Sequence, residues 1–390
     1  MSLNSILIEL RVPKQDECSW VASKKNSVMY VRLKFSLLLI CLLLVQFMPL
    51  IGQENVQLRD IHFDPNLTEE QNRFLNRQAH VLLEYSSGLL EKYPPLSKAQ
   101  EGRESALFLL DAILHEPHAM KRPPVQRFLK DRLTNAINEI AYTKVEKGAK
   151  IWKLYNHSFV VRTSSVTIAF DLIRTQSEEN MRKLVSQCDI LLISHEHGDH
   201  WEMEIVRAFL EQGKPVLAPP SLFRDDDAIY KQVTHLERRS HWAEKIAVKG
   251  DKVDLEVVTY PGHQWGNIEN NVSLIKTQEG IVVVHTGDQW NMNDFEWIDV
   301  VGEYFEVDVL LPNSWTADIA RMANGVDPKV IISGHENEMG HALHQREPFW
   351  KTYLRKQGSV LLPEKDKGYD YPLVMMTWGE AFHYSKQDFH

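Results

Sequence analysis

Apolar and polar positions along the chain follow three successive regimes. Residues 35–51, FSLLLICLLLVQFMPLI, form a nearly unbroken apolar run. From Asn55 to about Lys150 the apolar positions recur at helical spacing. Thr68-x-x-Gln71 reads as a capping box that opens a helix toward Lys92, and Tyr93-Pro94-Pro95 ends it. A second helix is predicted over Glu101–His115 and a third from about Pro124 to Gly148. After Lys150 the period shortens to two. Ile151–Tyr155, Phe159–Thr163 and Val166–Leu172 read as short strands rich in β-branched and aromatic residues. Met203–Glu211 then reads as an amphipathic helix stopped by Gly213, and Pro215–Ala218 as another strand. This strand-helix-strand rhythm resumes near Ile331–Leu343, so the expected class is α/β. The pattern divides the chain into a targeting segment (1–52), a helical extension (53–150) and a main domain (151–390).

One stretch of the main domain carries most of the chemistry. The apolar run Leu191-Leu192-Ile193 leads straight into Ser194-His195-Glu196-His197-Gly198-Asp199-His200. Residues two apart in an extended segment point the same way, so His195 and His197 can reach one ion. A tight turn at Gly198 would carry Asp199 and His200 to a second ion. Further candidates follow other strand-like runs: His263 after Leu255–Tyr260, Asp288 after Gly280–His285, and His335 after Val330–Ile332. Strand ends deliver their side chains to a shared edge, so these placements converge. His80, His115 and His118 in the helical part, and His235 and His241, have no such spacing.

The packet at 195–200 resembles the HxHxDH motif of the metallo-β-lactamase superfamily. That resemblance implies a four-layer αββα sandwich with the helical part as an N-terminal extension outside it. It also implies that His195, His197 and His263 hold one ion, Asp199, His200 and His335 hold a second, and Asp288 bridges them. Imidazole and carboxylate without thiolate suit two divalent ions, zinc first, with manganese or iron as alternatives. A hydroxide between the ions would be the nucleophile, oriented by Asp199 and Asp288 as catalytic carboxylates. Asn156-His157-Ser158-Phe159 resembles a strand of lactonase and phosphodiesterase members, and Asp171 matches an acid that orients a ligand histidine there. A bridging Asp288 is the pattern of lactonases, thioester hydrolases and phosphodiesterases rather than of β-lactamases. The expected activity is hydrolysis of an ester, lactone, thioester or phosphodiester. The alternatives are an iron-dependent, dioxygenase-like oxidoreductase and a non-catalytic metal-binding envelope protein. Glu338 and His341 are either acid-base groups of the pocket or helix-surface residues, and Trp265 is expected on the pocket wall.

Composition narrows the setting. The formal charge is −9, and no long basic run appears, so nucleic acid is not the expected partner; a small molecule is. Arg32 and Lys34 precede the apolar run, which reads as a signal peptide or an uncleaved N-terminal anchor. Either form puts the main domain outside the cytoplasm, in the periplasm or secreted, with the membrane touched only by the N-terminal segment. Of the three cysteines, Cys18 and Cys41 precede the mature chain, so Cys188 has no disulfide partner and is expected in the core.

Overall fold

Alternate residues of the strands serve different cores, and this parity sets the layers. In β1 (Ala149–Lys153), β2 (Phe159–Arg162), β3 (Thr167–Phe170) and β4 (Ile190–Leu192), one face carries Ile151, Val161, Ile168 and Ile190. The opposite face carries Trp152, Val160, Ala169 and Leu191, which pack against helices. The computed structural model describes residues 66–96, 100–173, 175–250, 252–358 and 368–389, and these belong to one compact unit. The targeting segment expected at 1–52 lies outside the described residues. None of the described helices is long and apolar enough to cross a membrane.

The first sheet has six strands in the order β13 (Glu380–Tyr384), β1, β2, β3, β4 and β5 (Val216–Leu217). The second has seven: β12 (Leu373–Val374), β11 (Val330–Ile332), β10 (Val309–Leu311), β9 (Val282–His285), β8 (Glu269–Lys276), β7 (Val253–His263) and β6 (Ala243–Val248). Ile168, Ile190, Leu255, Val283, Val309 and Ile332 meet in the core between the sheets. Leu274, Val284, Leu310 and Ile331 turn outward instead, onto α6 (Ile319–Val326) and its neighbours. Helices therefore cover both outer faces, and the predicted αββα sandwich is what forms.

The helical extension packs on the outer face of the first sheet. It comprises α1 (Glu69–Lys92), α2 (Gln100–Leu114) and α3 (Pro123–Tyr142). The Thr68 capping box forms as read, with the hydroxyl accepting from the Gln71 amide and the Gln71 side chain accepting from Thr68 N–H. Helix α3 stops at Tyr142, six residues before Gly148, because Thr143 turns extended and Arg162 donates to the Ile140 and Thr143 carbonyls. Helix α5 occupies Met203–Glu211 as predicted, after α4 (Glu178–Gln187). The helix expected directly after β11 is displaced. Residues 333–348 form a long loop, and α7 begins only at Phe349 (Phe349–Gln357).

That loop is tied to the extension. Asp111 on α2 accepts from the Asn337 side chain (2.8 Å) and from the Phe349 and Trp350 amides (2.8 and 2.9 Å). Arg346 donates to the Leu114 and Glu116 carbonyls. Buried Arg103 on α2 pairs with Glu380 on β13, so the extension also grips the sheet edge. Cys188 is fully buried, and burial pushes its thiol up to about 12, as suits a core residue.

Candidate metal centre

The segments that follow β4 of the first sheet and β9 and β11 of the second carry the ligand-type residues, which meet at one edge of the sandwich. His195, His197 and Asp288 offer atoms within 4.8 Å of one another, and so do Asp199, His200 and His335. Asp288 faces both groups. Its Oδ2 lies 3.6 Å from His195 Nε2 and 3.4 Å from His200 Nε2, while its Oδ1 lies 3.4 Å from His335 Nε2. Asp199 Oδ2 lies 3.6 Å from His200 Nε2 and 3.5 Å from His335 Nε2. The turn from His197 to His200 closes through His200 N–H to the His197 carbonyl, without a left-handed residue at Gly198.

Packing explains why these side chains converge. Asp171, at the end of β3, accepts from the Ser194 amide and hydroxyl and from His200 Nδ1, each at 2.7 Å. The last bond fixes the proton on Nδ1 and turns the His200 Nε2 lone pair inward. Asn156 donates to Asp199 Oδ2 at 3.0 Å. Asn270 accepts from the Asp288 amide at 2.9 Å and donates to the Thr286 carbonyl. Gly287 has φ +50, and a Cβ there would stand 2.3 Å from Ser194 Cβ, so only glycine lets the β9 loop approach the β4 loop this closely. His335 is itself left-handed at φ 70. Its neighbour Glu336 is held by the fully buried Lys153 and by the Ser333 hydroxyl, which stabilise that conformation from below.

The donor set fits divalent cations. His195 Nε2, His200 Nε2, His335 Nε2 and Asp288 Oδ1 are buried and have no hydrogen-bond partner. Four orphaned polar atoms aimed at one space are costly in a protein interior unless something fills it. Electrostatics say the same. Burial disfavours charge on His335, yet Asp288 and Asp199 pull it up to about 10, and His200 is raised well above its ordinary value by Asp288, Asp171 and Asp199. The imidazoles in turn hold Asp288 and Asp199 well below the usual carboxylate range, against the desolvation that burial imposes. His195 is pushed down to about 3 by burial and by repulsion from His200. The centre attracts positive charge, and metal cations would replace the protons it otherwise holds.

One expected ligand stands elsewhere. His263 is the last residue of β7, and its Nδ1 and its amide N–H are held by the Asp294 carboxylate, both at 2.8 Å. His263 is not among the residues whose donor atoms gather within 4.8 Å, although the Asp294 bond holds its Nδ1 as Asp171 holds that of His200. Successive side chains point to opposite faces, so Gln264 is the residue aimed at the centre. Its amide lies 3.0 Å from His197 Nδ1 and 3.1 Å from Asp288 Oδ2. A half-turn of that amide would present its carbonyl oxygen to the same space, which is donor chemistry a hard cation accepts. A search for His, Asp, Glu and Cys misses Gln264. The only signal was its place one residue beyond a strand whose parity was undecided.

Glu338 and His341 lie in the 333–348 loop rather than on a helix. Glu338 is 3% exposed, its Oε2 has no partner, and burial raises its pKa. His341 Nε2 lies 3.8 Å from Asp199 Oδ2, and its ring stacks on His335 at 5.3 Å. His157 is buried against His285, with ring centroids 4.3 Å apart, and it makes no contact with solvent. Trp265 is 74% exposed beside Gln264, at the mouth of a cavity of about 400 Å³.

Residues 150–335 match the family model of the beta-lactamase superfamily domain. That span is similar to the metallo-β-lactamase superfamily. Several solved structures resemble the chain at low identity. Igni18, a metallo hydrolase from Ignicoccus hospitalis, is 17% identical over 61% of this chain and 100% of its own, with a TM-score of 0.46. The metallo-beta-lactamase fold protein YhfI from Bacillus subtilis is 10% identical over 61% of this chain and 100% of its own, with a TM-score of 0.42. CmlA, a diiron beta-hydroxylase from Streptomyces venezuelae, is 17% identical over 51% of this chain and 47% of its own, with a TM-score of 0.38. No curated protein matches the sequence. The metallo-β-lactamase domain thus has a metallo-hydrolase fold with His and Asp groups suited to divalent metals.

Proposed function

We propose that the protein is a binuclear metal-dependent hydrolase of an ester, lactone, thioester or phosphodiester. The observation that carries this reading is the convergence of four partnerless buried donor atoms on one space, with Asp288 placed between the two groups, its Oδ2 near both His195 and His200 and its Oδ1 near His335. His195, His197 and Asp288, with Gln264 beside them, would hold one ion; Asp199, His200 and His335, sharing Asp288, would hold the other. Two such ions, zinc first among the candidates, would lower the pKa of a shared water and polarise the oxygen of the bond to be cleaved. The chain's own groups do the positioning. Asp171 keeps the His200 proton on Nδ1, Asn156 holds Asp199 Oδ2, and Asn270 sets the Asp288 backbone. Buried Glu338 accepts from the Gly340 amide and interacts with Tyr155, His335 and Asp199. The export expected from the 35–51 run remains part of the proposal.

The test is metal stoichiometry on the purified protein, paired with chromogenic lactone, thioester, ester, phosphodiester and β-lactam substrates and an oxygen-uptake assay. About two divalent ions per chain and turnover of one hydrolytic class are expected. Metal content near zero after metal-replete purification would sink the reading. Oxygen uptake with bound iron and no hydrolysis would replace it with the oxidoreductase alternative.

A further inference from the structure

We infer that the cavity beside the metal centre takes a neutral, apolar acyl or aryl arm of the substrate, which selects carboxylic esters, lactones or thioesters over phosphodiesters. This rests on the hydrolase reading above. The cavity, of about 400 Å³, is lined by Gln264, Trp265, Trp290, Asn291, Met292 and Ala317, with Gly266 at the turn. It begins at the reactive edge, because Gln264 both lines it and touches Asp288 and His197. Trp290 and Trp315 pack with ring centroids 5.6 Å apart, and Trp315 meets His335 edge-on at 5.4 Å, so an aromatic wall runs from a ligand histidine into the cavity.

Charge decides the class of occupant. No lining residue is charged, whereas recognition of phosphate draws on arginine, lysine or clustered backbone donors. The protein's net charge of −9 adds nothing to attract an anion. The lining instead offers two indoles, a thioether and two amides. This is the composition of a small-molecule pocket that grips apolar surface and orients it with a few polar groups.

The exposed part of this wall is held in place. Trp265 is 74% and Met292 51% exposed, a large apolar area to leave in water. The turn that carries Trp265 is closed by Gln264 N–H to the Ile268 carbonyl and Asn267 N–H to the Gln264 carbonyl. Gly266 at φ +75 and Asn267 at φ 62 shape it, and the Asn291 side chain bonds that of Asn267 at 2.7 Å, joining the two rims. A fixed aromatic rim around an uncharged cavity suits an apolar arm that covers the rim on binding.

The experiment compares p-nitrophenyl acetate, butyrate and hexanoate with bis(p-nitrophenyl) phosphate on the metal-replete full chain. kcat/KM should rise about tenfold or more from acetate to hexanoate, as burial of four methylenes on a half-open wall implies. The hexanoate-to-acetate ratio should collapse toward one in Trp265→Ala, recover in Trp265→Phe, and fall several-fold in Met292→Ala, with metal content unchanged in each. A flat chain-length profile, a phosphodiester preferred over every ester, or a profile intact in both alanine variants would overturn the inference. A protein that binds two ions but cleaves nothing would refute the hydrolase reading alone. The arm is then judged by saturation-transfer NMR of hexanamide against acetamide: hexanamide binding that disappears in Trp265→Ala supports it, and no binding overturns it.

Discussion

The two sides of Asp288 are built differently. On the Asp199 side every ligand-type residue is braced: His200 by Asp171, Asp199 by Asn156, and the His335 backbone by the buried Lys153–Glu336 pair beneath it. Beneath that again, Asp111 and Arg346 tie the loop to the helical extension. On the His195 side, His195 is buried, but His197 is half-buried, and Gln264 opens directly onto the cavity. One side is a fixed pedestal and the other opens onto the cavity. The difference gives the extension a role: it contributes no residue to the cavity lining, and it holds the loop that presents His335.

The largest expected effect comes from removing the residue both sides share. Asp288→Ala should reduce bound metal from about two ions to one or fewer and lower kcat by roughly 10³-fold or more, about 4 kcal/mol. Asp199→Asn keeps the shape and removes a charge from the braced side only. It should cost on the order of 10²-fold in kcat, with substrate binding less affected, and move the ascending limb of the rate to higher pH because the remaining field acidifies water less. Atomic absorption and pH-rate profiles check both. Equal losses from the two variants would mean that the centre does not divide about Asp288.

A pH experiment probes the braced side without mutation. In the metal-free protein His335 titrates at about 10 and His200 is also raised, so both hold protons at neutral pH. Their contribution to metal-free stability is complete below the unfolded histidine pKa, about 6.5, and is lost as pH rises toward about 10. Metal-bound imidazoles carry no such proton. The Tm gap between metal-loaded and metal-free protein should therefore widen from pH 6.5 to 9, with proton release on metal binding visible by calorimetry in two buffers. A gap that narrows over that range would contradict the assigned ligands on this side.

Legibility in the sequence follows the same division. His195, His197, Asp199 and His200 are readable because six consecutive residues after one strand carry the whole pattern. Asp288 and His335 are readable as candidates because each follows a strand-like apolar run, and the resemblance supplies their expected roles. The braces are not readable: Lys153 reaches Glu336 across 183 residues, and Asp111 reaches Asn337 across 226. Such pairings depend on how the layers stack, which period and spacing do not encode. Periodicity alone gave the α/β class, and the sandwich was legible only through the resemblance carried by residues 195–200; the division of Ile151 and Trp152 between two cores appears only in the structure. The end of α3 was not legible, because Arg162, twenty residues on, captures its last carbonyls.

The smallest effects test the open side, where sequence and structure part. If parity at the end of β7 aims Gln264 at the centre and gives His263 to Asp294, the two neighbours should behave oppositely to what their chemistry suggests. His263→Ala leaves the His195, His197 and Asp288 donors in place and loses one partly exposed hydrogen bond, so metal content should hold and kcat/KM should change by less than about threefold. Gln264→Ala removes an amide within reach of both His197 and Asp288 and should weaken metal binding on that side, lowering kcat/KM by about tenfold. Gln264→His would place an imidazole where the amide now stands; it should retain two ions and restore most of the activity. Two results would reverse the assignment: metal loss in His263→Ala, or full metal retention and activity in Gln264→Ala. Either would mean that the end of β7 turns over when ions bind, bringing His263 to the first group.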